Sequence, residues 1–137
     1  MKNLIQHINP EQLYNNPAYS HAVVAQGAGR TIYLGGQNSL SKEGKVLFPG
    51  DIKGQSAQVM QNLTAVLEAA NALPDHLVKL TMHIVQGQNL QEGYEGAQPF
   101  LSKLKHPPAV TMAYVAGLAH PDYLVEIDGV AFVPDGE

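Results

Sequence analysis

Alternating apolar and polar residues mark the end of the chain as its most strand-like part. The segments Pro107–Val115 and Tyr123–Val133 are rich in β-branched and aromatic residues and are bounded by Pro and Gly. Such segments are typical of β-strands. Because only a short loop separates them, the pattern predicts that the two strands form a final hairpin.

The N-terminal part of the chain is more broken. Residues 1–18 are polar and interrupted by prolines, which predicts an extended lead-in with one short strand near Gln6–Ile8. Strands are expected at Tyr19–Gln26 and Arg30–Gly36, and the glycine-rich turn between them predicts a first hairpin. A loop follows, in which Val46–Phe48 is expected to form a short strand.

Helical periodicity begins after this loop. Asp51 is the expected N-cap of a helix, because apolar residues recur at intervals of three and four from there to Ala70. The alternation in Leu77–Gln86 predicts a strand that packs against this helix. A second helix is expected over Leu90–Leu104, and Pro99 within it predicts a late start or a break.

This order of elements predicts an α+β fold in which two amphipathic helices cover one face of a mixed sheet. The other face is expected to carry apolar side chains. They include Val110, Met112, Tyr114, Leu124 and Val130, or the residues that alternate with them. With no segment left to cover that face, we expect subunits to associate through it and to leave clefts where they meet.

Composition narrows the classes of protein. A chain of 137 residues fits a single domain, here residues 1–137, and a net charge of −4 with scattered cationic residues argues against a nucleic-acid partner. The absence of cysteine excludes disulfides, thiolate metal sites and a cysteine nucleophile. Neither a secretory signal nor a membrane span is recognisable, so a soluble cytoplasmic protein is expected.

Two stretches carry candidate chemistry. Strand alternation places Glu126 and Asp128 on one largely apolar face, where an ionised carboxylate needs a partner or a function, so Glu126 is the first catalytic candidate. The paired glycines of Gly35–Asn38 let a ligand or another backbone approach closely. A bulge or turn at a capped strand end explains the same glycines.

Metal and nucleophile chemistry are weaker interpretations. His120, Asp122 and Glu126 are of types that bind divalent ions, as are His21 and His83 on separate strands. Their spacing matches no compact metal motif, and no nucleophile elbow is present, so we expect neither a metal site nor a nucleophile pair of Ser20, Ser39 or Thr111 with a histidine.

Several separated motifs resemble one known family over nearly the whole chain. They are Asn16–Ala22, Gly35–Asn38, Gln61–Ala70, Pro107–Thr111 and Val125–Ala131. In this order they are similar to the YjgF/YER057c/UK114 proteins, also called the Rid family or L-PSP endoribonucleases. The resemblance implies a chorismate-mutase-like α+β domain that forms a homotrimer with small-molecule sites in the inter-subunit clefts.

The resemblance also implies an activity. Well-known members hydrolyse reactive enamines or imines, formed by pyridoxal-phosphate enzymes, to 2-keto acids and ammonia without metal or cofactor. Glu126 matches the glutamate that helps to place the attacking water, and Tyr19 matches a tyrosine that lines the cleft. Gly36 and Gln37 match the segment beside the ligand.

The chain departs from the family pattern where the substrate carboxylate is held. The arginine that follows Pro-Ala is replaced by Val110, and the cysteine two residues later by Met112. We therefore expect a neutral or less acidic ligand. Two functions stay open: an imine hydrolase with Glu126 as its base and a pocket shaped by Tyr19, Gln37 and Tyr114, or a non-catalytic metabolite binder. Ribonuclease activity is not favoured, because the chain lacks a basic patch.

Overall fold

The computed structural model of the protein describes residues 4–137; residues 1–3, the start of the predicted lead-in, lie outside the described residues. Strands and helices follow one another along the described chain in a mixed order. They are β1 (Leu4–Ile8), β2 (Ala22–Gln26), β3 (Gly29–Gln37), α1 (Ile52–Ala69), β4 (Leu77–Val85), α2 (Leu90–Leu101), β5 (Ala109–Val115) and β6 (Val125–Pro134).

The main sheet has the strand order β3-β6-β4-β5, and β1 and β2 form a separate two-stranded sheet. β6 is antiparallel to both of its neighbours, whereas β4 and β5 are parallel and α2 connects them. A parallel pair requires such a crossover connection. The predicted α+β class, with two helices and a mixed sheet, is confirmed.

Both predicted hairpins are wrong. β4 lies between β5 and β6, so the last two strands are not partners. At the other end of the chain β2 pairs with β1, from Leu4 opposite Gln26 to Ile8 opposite Ala22, while β3 pairs with β6. The short strand predicted near Gln6–Ile8 therefore exists as β1. The strand predicted at Val46–Phe48 is reduced to a single bridge between Leu40 and Val46.

The first helix has the predicted cap. An Asp51 side-chain oxygen accepts a hydrogen bond of 3.0 Å from the Gly54 N–H. At the other end Asn71 has a φ of 56°, and the Arg30 guanidinium donates to the carbonyls of Ala70 and Asn71 at 2.9 and 3.2 Å. A cation suits a helix C-terminus, because the last carbonyls are unpaired and carry partial negative charge.

The second helix runs through Pro99 and ends at Leu101, three residues before the predicted end. Its first turn is capped by the Asn89 side chain, which accepts from the Glu92 N–H at 3.0 Å. Among residues 4–137, none of the helices is long and apolar enough to cross a membrane.

Both helices pack on one face of the main sheet. Most of the buried apolar residues of the core come from α1 and from the two central strands of the main sheet, β4 and β6. They include Val59, Leu63, Leu67, Leu80, Ile84, Val125, Ile127 and Val133. The two helices approach very closely at Gly96, where an added Cβ would lie 2.2 Å from the Lys53 carbonyl oxygen.

A fully buried amide holds the start of β6 in place. Gln55 on α1 donates from Nε2 to the carbonyls of Phe48 and Asp122, at 3.2 and 2.9 Å. Its Oε1 accepts from the Leu124 N–H at 2.9 Å. Because a buried amide is costly unless it is hydrogen-bonded, this side chain fixes the loop that leads into β6.

The other face of the main sheet is open, and its composition differs from the prediction. Register places polar or charged residues on it, namely Lys79, Thr81, His83, Thr111, Glu126 and Asp128, together with Val130. Val110, Met112 and Tyr114 lie opposite Leu80, Met82 and Ile84, on the helix-covered face. Leu124 is buried. Of the five residues named for the open face, Val110, Met112 and Tyr114 therefore lie on the opposite face, and the prediction is wrong for these three.

Candidate functional site

Glu126 stands on the open face because its neighbours on β6 are core residues. Val125 and Ile127 are completely buried, and alternation turns the intervening side chain to the opposite side, where it is half-buried. The carboxyl group lies over Gly36, since a Cβ added at Gly36 would come within 2.8 Å of the Glu126 Cδ. The missing side chain of Gly36 thus provides the room that this carboxylate occupies.

The bulge around Gly36 is built by the polar residues next to it. The register of β3 against β6 shifts between Leu34 and Gln37, which is the mark of a β-bulge. The Gln37 side chain donates to the Gly35 carbonyl at 3.3 Å and so closes the bulge on itself. The bulge interpretation of the paired glycines is confirmed, and at Gly36 the neighbour that comes close is the Glu126 side chain.

The residue after the bulge ties the motif to the rest of the fold. Asn38 donates from Nδ2 to the Val125 carbonyl at 3.3 Å, and its own carbonyl accepts from the Asn62 side chain at 3.0 Å. The bulge is thereby linked to the start of β6 and to α1. Asn38 and Asn62 therefore connect the bulge to the strand that carries Glu126 and to the first helix.

Tyr19, Val110 and Met112 meet on the other side of the sheet. They line a cavity of about 380 Å³ between β4, β5, α2 and the N-terminal loop. The remaining lining residues are Asn16, Ala18, Leu80, Met82, Ile84, Leu90, Gln91, Tyr94 and Leu101. All of the lining side chains are uncharged. The cavity is within the size range of small-molecule sites and suits an apolar ligand.

The N-terminal loop is fixed against β5 by residues next to Tyr19. Ser20 donates from its N–H to the Pro108 carbonyl at 2.9 Å and from Oγ to the Pro107 carbonyl at 2.6 Å. The His21 ring packs edge-on against Tyr19 with ring centroids 5.5 Å apart. Its Nε2 donates to the Tyr14 carbonyl at 2.6 Å. The two residues that follow Tyr19 therefore hold this part of the N-terminal loop in place.

The predicted site residues consequently form two groups within one subunit. Glu126 and Gly36 lie on the open face of the sheet, with Gln37 at the bulge, and Tyr19, Val110 and Met112 lie around the cavity. Tyr114 lies opposite Ile84, on the same strand face as Val110, and is half exposed. The structure does not bring Glu126 together with the cavity residues in a single subunit.

Sequence reasoning did not place His83 next to Glu126. The two residues are opposite each other in the antiparallel register of β4 and β6. Alternation did place His83 on one face with Lys79 and Thr81. Only the strand order shows that this is the face of Glu126, and no local signal in the sequence contains that order.

The other cations and imidazoles have separate roles. Arg30 caps α1, as described, and Lys79 donates from Nζ to the Thr111 hydroxyl on the open face. His120 accepts at Nδ1 from the Asp122 N–H at 3.0 Å. Within residues 4–137, no group of three or more His, Asp or Glu side chains is arranged to hold a metal ion.

Comparisons with known proteins agree with this fold. A model of the family described as Endoribonuclease L-PSP matches residues 10–133. A crystal structure of a Rid-family protein of unknown function from Yersinia pestis is 32% identical, with a TM-score of 0.85 over 94% of this chain and 98% of that one. Curated relatives include a RutC family protein of Pyrococcus horikoshii, 29% identical over 83% of this chain and 86% of its own.

A second curated relative is protein HMF1 of Saccharomyces cerevisiae, which is 31% identical over 74% of each chain. The family match covers nearly the whole length of the chain, and the fold agrees over the same extent. Membership supports a role in small-molecule processing in general. The chain therefore belongs to the endoribonuclease L-PSP family, which is the YjgF/YER057c/UK114 or Rid family.

Proposed function

We propose that this protein hydrolyses reactive imines or enamines that lack a carboxylate, giving a carbonyl compound and ammonia. The observation that carries the proposal is the Glu126 carboxylate held over Gly36 on an open sheet face. A half-buried carboxylate with room beside it is suited to accept a proton from a bound water. The family resemblance suggests the class of reaction, and Glu126 is the group that can act as its base.

The reaction requires one water and no cofactor. Glu126 accepts a proton from the water while the water oxygen bonds to the imine carbon, and the C=N π electrons move to nitrogen. Protonation of that nitrogen gives a carbinolamine. Glu126 then gives its proton to the carbinolamine nitrogen, the C–N bond breaks and ammonia leaves, and the hydroxyl proton is lost as the carbonyl forms. Holding the water and the imine carbon together is the main contribution of the site.

The substrate class follows from the cavity. A carboxylate placed among uncharged, mostly apolar side chains would lose its hydration without gaining a counter-charge. Val110 replaces the arginine that the family uses, and Arg30 is engaged at the end of α1. Charge-assisted bonds contribute about 1.5–3 kcal/mol each, so loss of the bidentate pair weakens binding of a 2-imino acid by about a hundredfold or more.

The same proposal requires more than one subunit. Because Glu126 and the cavity are on opposite faces of one sheet, a complete site needs Glu126 of one subunit beside the cavity of another. A homotrimer with inter-subunit clefts, which the resemblance implies, satisfies this requirement. The proposal also places the protein in the cytoplasm, where imines formed by pyridoxal-phosphate enzymes arise.

A second candidate function is binding without catalysis. The uncharged cavity favours it, since loss of the arginine removes the clamp while leaving an apolar pocket of about 380 Å³. In that case neutral metabolites bind in the cleft and Glu126 has only a structural role. Ribonuclease activity has no comparable support, because the net charge is −4 and the cationic residues are scattered.

Ammonia release from freshly generated imines tests these alternatives. We expect turnover of a neutral aliphatic imine to exceed that of 2-iminobutanoate, and Glu126→Gln to abolish it. Asp128→Asn is the matched control, because Asp128 is the next carboxylate on the same face of β6. Binding of the neutral compound without turnover would favour the second function. Equal loss in both variants would contradict a specific role for Glu126.

A further inference from the structure

Four residues form one row across the open face of the sheet. Glu126 lies opposite His83, which lies opposite Ala113 in the parallel register of β4 and β5. On the far side of Glu126 its carboxyl group lies over Gly36. The row therefore has small residues at both ends and an acid beside an imidazole at its centre.

The small ends leave the centre of this row accessible. Gly36 and Ala113 are exposed, whereas Glu126 and His83 are half-buried. Residues that are directly opposite on adjacent antiparallel strands have Cβ atoms about 4.5–5.5 Å apart. The Glu126 carboxyl lies toward Gly36 on β3, which is the side away from β4 and therefore away from the imidazole.

The other titratable groups on this face are placed differently. Asp128 lies opposite Thr81, one row away from His83. Lys79 is further along β4 and donates a hydrogen bond to the Thr111 hydroxyl on β5. Tyr33 is on β3, where it lies opposite Val130 of β6. His83 is thus the titratable side chain in direct cross-strand register with Glu126.

We propose that His83 is the proton donor that works with Glu126, a role that rests on the proposed hydrolysis. When the water oxygen bonds to the imine carbon, Glu126 takes a proton from the water and the imidazolium gives one to the nitrogen. The neutral imidazole then accepts the hydroxyl proton as the C–N bond breaks, and Glu126 gives the proton it took from the water to the leaving nitrogen, which restores the carboxylate. His83 is restored, and the products are the carbonyl compound and ammonia.

This role also accounts for how the chain functions without a guanidinium. In the cleft the imidazolium places a positive charge next to the imine nitrogen. The cavity lined by Val110 and Met112 holds the uncharged remainder of the substrate. A base and an acid on adjacent strands fit the two opposite proton movements of imine hydrolysis.

The experiment compares His83→Gln with His106→Gln, a histidine in the loop before β5 and outside the open face. We expect kcat on a neutral imine to fall about 10²–10⁴-fold in His83→Gln with little change in KM, and the alkaline limb of the pH profile to disappear. Added imidazole should restore part of the activity of His83→Ala. His106→Gln should behave as the wild type.

A spectroscopic measurement gives an independent answer. We expect Glu126→Gln to change the ¹⁵N shifts of the His83 ring and to leave those of His106 unchanged. Unchanged His83 shifts, or wild-type turnover and pH profile in His83→Gln, would overturn this role and leave the proposed function standing. If the wild type turned over no imine, neutral or acidic, the proposed function would fall and the catalytic role of His83 with it.

Discussion

Ser20 and Pro107 are 87 positions apart in the sequence, and a hydrogen bond of 2.6 Å joins the Ser20 hydroxyl to the Pro107 carbonyl. A second bond, from the Ser20 N–H to the Pro108 carbonyl, lies beside it at 2.9 Å. This pair fastens the N-terminal loop to the start of β5. Tyr19 precedes Ser20 and Val110 follows Pro107 and Pro108, so these two hydrogen bonds help to place both side chains at the cavity that they line.

Ser20→Ala is expected to lower the free energy of unfolding by about 1–2 kcal/mol, because the hydroxyl is buried and its partner carbonyl loses a donor. Urea unfolding measures this change. Ser102→Ala is the matched control, since the Ser102 hydroxyl makes a longer, exposed bond of 3.3 Å to Pro99. Equal destabilisation in the two variants would contradict the proposed importance of the Ser20 contact.

Substitutions at Gly36 and Gly35 test whether the space beside Glu126 is needed for activity. In Gly36→Ala the new methyl group meets the end of a flexible side chain, so Glu126 moves while the stability changes little. We expect imine turnover to fall about tenfold or more, because displacement of a catalytic group by an ångström is costly. A crystal structure of the variant would show the displaced carboxylate.

Gly35→Ala is the control for that variant. A Cβ at Gly35 has no heavy atom within 4 Å among the described residues, and the glycine does not need a positive φ. Turnover should therefore stay near the wild-type value. A loss as large as that of Gly36→Ala would mean that the bulge, and not the space beside Glu126, is what matters.

Local patterns predicted the parts of the fold that depend on neighbouring residues. The cap at Asp51, the two helices, and the alternation that sets Glu126 apart from Val125 and Ile127 are all local. Each follows from a short-range contact or from the period of a strand. For the same reason the catalytic candidate could be named before its surroundings were known.

Strand order could not be predicted in this way. The short loop before β6 suggested a hairpin with β5, but β6 pairs with β3 and β4. Alternation grouped Val110 with Met112 and Tyr114 correctly, yet it does not tell which side of the sheet the group faces. Both errors concern contacts between distant segments, and these also decide that His83 stands beside Glu126.

Close packing of the two helices gives a stability prediction. Gly96→Ala places a methyl group 2.2 Å from a backbone carbonyl oxygen of α1, so one of the helices must shift. Overpacking of this kind costs about 1–3 kcal/mol or more. Thermal or urea unfolding should show the loss.

Gly93→Ala on the same helix is the matched comparison. There the new Cβ would find its nearest neighbour at 3.4 Å, an ordinary contact, and alanine has the higher helix propensity. We expect unchanged stability or a gain of up to about 1 kcal/mol. If both substitutions were equally harmful, the close contact at Gly96 would not be the cause.

Stability should also depend on pH through His7. Burial, and then the neighbouring His106 ring at 4.9 Å, lower the pKa of His7 below 6.5, and Asp75 opposes the shift. The folded state therefore binds a proton less readily than the unfolded chain. Stability is complete above pH 6.5 and falls as the pH drops from there through the lowered pKa of His7.

Urea unfolding of His7→Gln across this pH range measures the effect. The variant should lose part of the decline at acidic pH, because glutamine does not titrate. His120→Gln is the control, since His120 is exposed and is not one of the groups that shift the pKa of His7. An identical decline in wild type and His7→Gln would contradict the assignment.

Sharing of the site between subunits has a direct test in mixed trimers. One variant, Glu126→Gln, lacks the base on the open face. The other variant, Met112→Trp, has a filled cavity, and it should fold because the Met112 side chain is 45% exposed. Each homotrimer is expected to be inactive. In a random mixture, about a quarter of the clefts combine an intact Glu126 from one subunit with an intact cavity from the next, and about a quarter of the wild-type activity should return. If every site were formed within one chain, each subunit would carry one defect and mixing would restore nothing, so a mixture as inactive as its parents would contradict the shared site.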